Sequence, residues 1–173
     1  MNHSKKIANM AIFMRRKILE VSYRSSHAAH LGGGLSMVEI MASLYAHILN
    51  FDKDNPYWPE RDRFILSKGH GVLGYYSALL AVGFIDEKKY NTYLTNESDL
   101  ISHPIMNLDL GIESSNGSLG QGLSMAIGVA YAAKKDKDLN YKAYVLLGDG
   151  ECNEGSVWEA VMLAPQLMLD NLI

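Results

Sequence analysis

Cysteine is almost missing from this chain: Cys152 is the only one in 173 residues. No internal disulfide can form, so a reducing compartment, the cytoplasm, is the expectation. Long apolar runs are missing too. No uncharged, apolar stretch reaches the ~18 residues that a membrane span requires, so no membrane partner is expected. The start, Met1-Asn2-His3-Ser4-Lys5-Lys6, leads into an Arg-containing amphipathic stretch and lacks the apolar core of a secretory signal. An excess of one charge is also absent. Lys and Arg number 16 and Asp and Glu 19, and a formal net charge of -3 gives nucleic acid no electrostatic handle. Proline is scarce, and two of the four, Pro56 and Pro59, mark a loop over 52–60. There is no internal repeat, low-complexity tract or linker. With 48% apolar and 20% charged residues, this is ordinary globular composition, long enough for one domain core but not two large ones.

The periodicities present are mostly helical. Ile7, Met10, Met14, Ile18 and Val21 recur at helix spacing behind Ser4, an expected N-cap. Ser36 and Glu39 form a capping-box pattern before Ile40, Met41, Leu44 and Ile48. Val72 to Val82 reads as an apolar helix closed by Gly83, and Asp86 to Thr95 as a short polar one. Residues 98–115 read as irregular, and a helix is expected from the glycine-rich turn through Tyr131. Lys134 to Tyr141 reads as a charged, solvated turn. Two short runs, Phe64-Ile65-Leu66 and Ala143-Tyr144-Val145-Leu146-Leu147, have the length and β-branched or aromatic content of buried strands. Helices alternating with few strands imply an α/β fold, a parallel sheet flanked by helices.

The second strand runs into Gly148-Asp149-Gly150-Glu151-Cys152-Asn153-Glu154-Gly155, with a helical pattern from Ser156 to Ala164 behind it. A strand, a Gly-Asp-Gly turn and a helix make a place for a metal diphosphate. Asp149 offers a hard oxygen to Mg²⁺ or Ca²⁺, and Gly148 and Gly150 let the backbone approach phosphate oxygens. The helix start adds unpaired N–H groups. Taken alone, the same tripeptide is also an ordinary tight turn.

Gly117, Gly120 and Gly122 are spaced G-x-x-G-x-G, which is not the dinucleotide-binding order, and no good strand precedes them. Gly120, Ser124 and Gly128 recur every four residues, a pattern that permits close helix approach. His30, His70 and His103 each sit in a loop beside small residues or proline, where a histidine can reach a ligand or simply be hydrogen-bonded in place. His47 falls in a helix and reads as structural or surface.

Four blocks, in order, resemble the N-terminal part of transketolases. They are His30-Leu31-Gly32-Gly33-Gly34 with Ser36-Met37-Val38-Glu39-Ile40, then Arg61-Asp62-Arg63-Phe64-Ile65-Leu66-Ser67-Lys68-Gly69-His70-Gly71, then Gly117-Ser118-Leu119-Gly120-Gln121-Gly122-Leu123-Ser124. The last is Gly148-Asp149-Gly150 followed by Glu154-Gly155-Ser156-Val157-Trp158-Glu159-Ala160. The resemblance covers most of the chain and implies a single partial domain over 1–173, the diphosphate side of a thiamine diphosphate-binding fold. It implies thiamine diphosphate and Mg²⁺ as cofactors and transfer of two-carbon ketol units between sugar phosphates. By the same resemblance, His70 contacts the diphosphate, and Gly117, Ser118 and Leu119 touch the cofactor through their backbone. Gly150 lies against the cofactor, Asp149 binds the metal, His30 assists proton transfer on the sugar, and His103 contacts substrate hydroxyls. The family often has proline where Ser118 stands, a change that a backbone contact survives. Glu154 is either a helix N-terminal acid facing the dipole or, as the resemblance places it, an acidic contact near the cofactor at a dimer interface.

The family's diphosphate motif ends with an asparagine beyond the next helix and strand. Leu169-Asp170-Asn171-Leu172-Ile173 reaches only the beginning of that strand, so Asn171 receives no metal role. The pyrimidine-binding domain, with its catalytic glutamate, has no counterpart in this sequence. The expectation is therefore a chain inactive alone that works as a homo-oligomer or with a second polypeptide carrying the pyrimidine side. A non-catalytic module of the same fold is the alternative. Another is a 1-deoxy-D-xylulose-5-phosphate synthase-like enzyme, although Glu154 to Ala160 look more like transketolase.

Overall fold

Arg63–Leu66 (β1) and Ala143–Leu146 (β2), within one residue of the runs marked as strands by sequence, pair in parallel, with Arg63 opposite Ala143 and Leu66 opposite Leu146. The structure, a computed structural model, describes residues 2–25, 27–136 and 139–173. Residues 171–173 extend the sheet on the other side of β2: the Ala143 amide donates to the Asn171 carbonyl and the Ile173 amide to the Ala143 carbonyl, both at 2.9 Å. Side chains alternate across the pleat. Phe64, Leu66 and Tyr144 join the larger core, and Ala143 and Val145 the smaller one on the opposite face.

The larger core is helical. In α1 (His3–Ser25), Met14, Ile18 and Val21 are buried, as their spacing predicts. Asn2 caps this helix, its Oδ1 accepting from the Ser4 amide at 3.1 Å, so Ser4 lies inside the first turn and is not the N-cap. α2 (Leu31–Leu35) and α3 (Val38–Ser43) follow, and one turn of π-helix carries α3 on to Ile48. The capping box between them does not form. Ser36 Oγ donates to the Gly33 carbonyl, and Glu39 pairs with Arg15 on α1. Tertiary partners outcompete the local motif here. α4 (Val72–Val82) is buried throughout from Val72 to Leu80 and packs against α1, α2 and α3. Gly83 ends it at φ 88°, the left-handed conformation that glycine adopts without a Cβ penalty.

α5 (Glu87–Tyr90) is shorter than the expected helix to Thr95. Asp86 caps it through the Lys89 amide, and the chain then turns left-handed at Leu94, φ 59°, and Glu97, φ 63°. The irregular 98–115 segment is anchored where Arg61 Nε and Nη2 grip the two Glu113 oxygens at 2.8 and 2.9 Å.

The smaller core lies between β2, α6 (Gly122–Lys135) and α7 (Gly155–Gln166). α6 runs past Tyr131 to Lys135, which shortens the expected charged turn; Lys137 and Asp138 within that turn lie outside the described residues. The Gly120, Ser124 and Gly128 stripe is not a close-packing seam. Gly120 precedes the helix, Ser124 is exposed, and a Cβ on Gly128 would meet nothing within 4 Å. Among the described residues no helix is long and apolar enough to cross a membrane.

Candidate functional site

Because β1 and β2 are parallel, the loops leaving their carboxyl ends emerge side by side, the usual position for a ligand in such sheets. Ser67 to Gly71 leave β1 and Gly148 to Glu151 follow β2, and together with Gly32, Gly33, Ser36 and Leu119 they shape a cleft of about 450 Å³. Lys68, His70, Asp149 and Glu151 line it. A larger hollow of about 640 Å³ lies elsewhere, between α1 and the end of α4. It contains no histidine or glycine turn, so volume alone points away from the chemistry.

The histidines 30, 70 and 103, far apart in sequence, form one group. His30 stands at the start of α2, its ring 5.6 Å from that of His70 and 6.1 Å from that of His103. Glycines bring them this close. A Cβ on Gly33 would sit 2.7 Å from the His70 ring, and one on Gly69 would sit 3.0 Å from the His103 ring and 2.7 Å from the Asn116 carbonyl oxygen. Gly117 borders His103, whose Nδ1 lies 3.3 Å from Ser102 Oγ. Burial, then the cationic forms of His30, Lys68 and His103, hold the His70 imidazole below its usual pKa, with Glu151 acting in the opposite sense. His47 is exposed and stacks on His3, away from this group.

Asp149 is exposed at the cleft mouth, and no side-chain hydrogen bond ties it down as a cap. A Cβ on Gly150 would meet open space, so a ligand can approach that backbone. No group of three or more His, Cys, Asp or Glu suited to a metal exists among the described residues. One free carboxylate beside a diphosphate-sized cleft fits a Mg²⁺ ion that takes most of its remaining ligands from phosphate oxygens and water, the usual habit of that ion. Asn171 is far from such a role. Its Nδ2 donates to the carbonyls of Ala130 and Tyr141 at the opposite end of β2.

Leu119 lines the cleft, and Gly117 and Ser118 are exposed between it and His103. Glu154 is not in the cleft lining. It stands at the α7 N-terminus, exposed, with no side-chain hydrogen bond to the helix amides, and its Cβ packs against the space beside Gly120. Of the apolar α7 residues that sequence offers as an outward surface, Val157 is buried in the smaller core, while Trp158, Val161 and Met162 are exposed.

Two cleft residues, Lys68 and Glu151, and Ser67 bonded to the latter were not assigned by sequence. Lys68 reaches Ser36 Oγ at 3.4 Å. Ser67 and Glu151 are buried and hydrogen-bonded to each other. An acid next to a glycine turn reads as solvated, and nothing in its spacing reveals that the tertiary fold turns it inward.

The family described as transketolase, thiamine diphosphate binding domain, matches residues 8–173. A protein from Actinobacillus succinogenes, named as one of the subunits of apulose-4-phosphate transketolase, is 48% identical over 160 residues, covering 92% of this chain and 58% of that protein. One named 6-deoxy-6-sulfo-D-fructose transketolase subunit SqwG from Clostridium is 44% identical over 144 residues, 83% of this chain and 52% of that protein. The solved transketolase from Leishmania mexicana superposes with a TM-score of 0.86 at 27% identity, over 96% of this chain and 26% of that one. The chain thus spans a little over half the length of the two curated relatives.

Proposed function

The chain belongs to the transketolase thiamine diphosphate-binding domain family, and we propose that it supplies the diphosphate-binding side of a Mg²⁺-dependent enzyme moving two-carbon ketol units between sugar phosphates. The observation that carries this reading is the convergence of His30, His70 and His103, with His70 lining the same cleft as the Gly-Asp-Gly turn. Thiamine diphosphate supplies a nucleophilic thiazolium carbon to such an enzyme; the protein's part is to hold it and to move protons. In this reading Asp149 binds the metal. His70, Gly150 and the backbone of Gly117, Ser118 and Leu119 hold the diphosphate end, and Glu154 faces a neighbouring subunit. His30, which is exposed, and the half-buried His103 beside it handle protons and hydroxyls of the sugar. Both curated relatives are named as subunits of transketolases, which supports a second polypeptide carrying the pyrimidine side. The whole of 1–173 then acts as one partial domain, in the cytoplasm.

Titration of thiamine diphosphate into the chain, with and without Mg²⁺, tests the reading. Binding should require the metal and should weaken at least tenfold in Asp149→Ala, a loss comparable to that seen when outer-shell metal partners are removed. A chain that ignores thiamine diphosphate at any metal concentration is a module that keeps the fold without the function. Unchanged affinity in Asp149→Ala would reduce that residue to a turn former.

A further inference from the structure

Glu151 is the one buried carboxylate at the cleft, only 2% exposed. No cation pairs with it among the described residues; it is satisfied instead by neutral donors from three separate segments. Its Oε1 accepts from the Gly120 amide at 2.8 Å and from the Ser67 hydroxyl, and its Oε2 accepts from the Gly148 amide at 2.8 Å. Ser67 Oγ in turn accepts from the Gly122 amide at 3.1 Å. Three backbone segments are thereby joined at one side chain: the end of β1, the glycine turn before α6 and the first glycine of the Gly-Asp-Gly turn, with Gly122 tied in through Ser67.

The donor set selects a side chain with an acceptor on both of its terminal atoms. Three donors converge on two oxygens, and only a carboxylate offers acceptor sites on both. A glutamine would keep one oxygen and turn an N–H₂ toward the remaining amide, donor against donor.

Gly120 directly follows Leu119, and Gly148 directly precedes Asp149. The two amides held by Glu151 therefore belong to the two walls between which, on the reading above, the diphosphate lies. We infer that Glu151 is a positioning residue that fixes the gap between the Leu119 wall and the Asp149 wall of the diphosphate cleft; the inference rests on the proposed function. It acts through the two glycine turns, both of its oxygens being taken up by donors from the protein.

The test uses the full chain. In the unliganded wild type, the Gly120 and Gly148 amides should exchange with deuterium at least tenfold more slowly than unbonded turn amides, an arm that needs no variant to fold. Fast exchange at both amides would overturn the inference outright. In Glu151→Gln, at least one of the two amides should exchange tenfold or more faster, with the β2 amides changing far less. Thiamine diphosphate affinity in Mg²⁺ should fall at least tenfold, on the order of losses from outer-shell partners. Ser67→Ala removes one donor and leaves both glycine bonds, so its affinity loss should be smaller. Equal losses in Ser67→Ala and Glu151→Gln would mean general packing and sink the positioning role. So would wild-type affinity in Glu151→Gln, while binding that still depends on Asp149 would leave the functional reading standing. A wild-type chain that binds no thiamine diphosphate would remove both.

Discussion

At the scale of single residues, neighbours decide what each histidine can do. His70 is half-buried with His30, Lys68 and His103 around it, all of which oppose its protonation, so its pKa lies below the ordinary 6.5. The sign follows from linkage. Below pH 6.5 the unfolded chain takes up this proton first, so the imidazole's contribution to stability is intact above that pH. It is lost as pH falls from 6.5 through the folded value. A ring-proton NMR titration should therefore place the His70 midpoint below those of freely exposed histidines, and Lys68→Met should raise it. A midpoint unmoved by Lys68→Met would show that burial alone sets it. A diphosphate beside His70 would also favour the imidazolium, so ligand should move the midpoint up. His30 is exposed. In the complete enzyme, His30→Ala should lower turnover about a hundredfold with cofactor affinity nearly intact, the usual scale for a lost general acid or base. His70→Ala should weaken cofactor binding first. Identical behaviour of the two variants in titration and in rate would refute this division.

At the scale of elements, much of what positions the site was legible in the sequence. Strand runs, the α4 stop at Gly83 and the order of the four glycine and histidine blocks are local signals, and the structure uses them locally. What was not legible depends on distant partners. Ser36 and Glu39 spell a capping box, yet Arg15 on α1 takes the glutamate. Gly120, Ser124 and Gly128 spell a packing stripe, but the chain turns at Gly120, φ 82°, and leaves Gly128 open. Glu151 looks like a surface acid until Gly120 and Ser67, 31 and 84 residues away, close over it. The Arg61–Glu113 pair is another long-range feature, spanning 52 residues and largely buried. Arg63 Nε also lies 3.8 Å from Glu113, with its guanidinium 4.2 Å over the Tyr141 ring. Burial first and Arg61 second hold the Arg63 pKa down, so Glu113 compensates two crowded cations. Glu113→Ala should cost on the order of 3 kcal/mol, the range for breaking one side of a buried pair. A urea titration should show a lower midpoint with an unchanged slope. A midpoint equal to wild type would mean that water replaces the carboxylate at no cost.

At the scale of the whole molecule, two faces of unequal finish stand out. Around α4 the core is closed, with Tyr75, Tyr76, Met14, Ile18 and Leu79 fully buried. Around α7 it is open: Trp158 is 57% and Met162 62% exposed, with Val161 and Leu163 beside them. Trp158 is held in this outward pose by its Nε1–H bond to the Cys152 carbonyl, 2.8 Å away, just beyond the Gly-Asp-Gly turn. An apolar helix face rooted beside the Gly-Asp-Gly turn is a surface that association would cover, and each such side chain, once buried, contributes roughly 1.5–3 kcal/mol. On the proposed function, the same turn offers a metal one carboxylate, Asp149, and a second polypeptide carries the pyrimidine side. Two outcomes are expected together. The pure chain with ketose, aldose, thiamine diphosphate and Mg²⁺ should give only background ketol transfer. Sedimentation velocity across a range of concentrations should show self-association, and Trp158→Ser with Met162→Ser should shift it toward monomer while leaving the buried α4 core untouched. A catalytic rate from the chain by itself would contradict the first outcome. A monomer at every concentration, unaffected by those substitutions, would contradict the second, because the α7 face would then be an ordinary solvated surface.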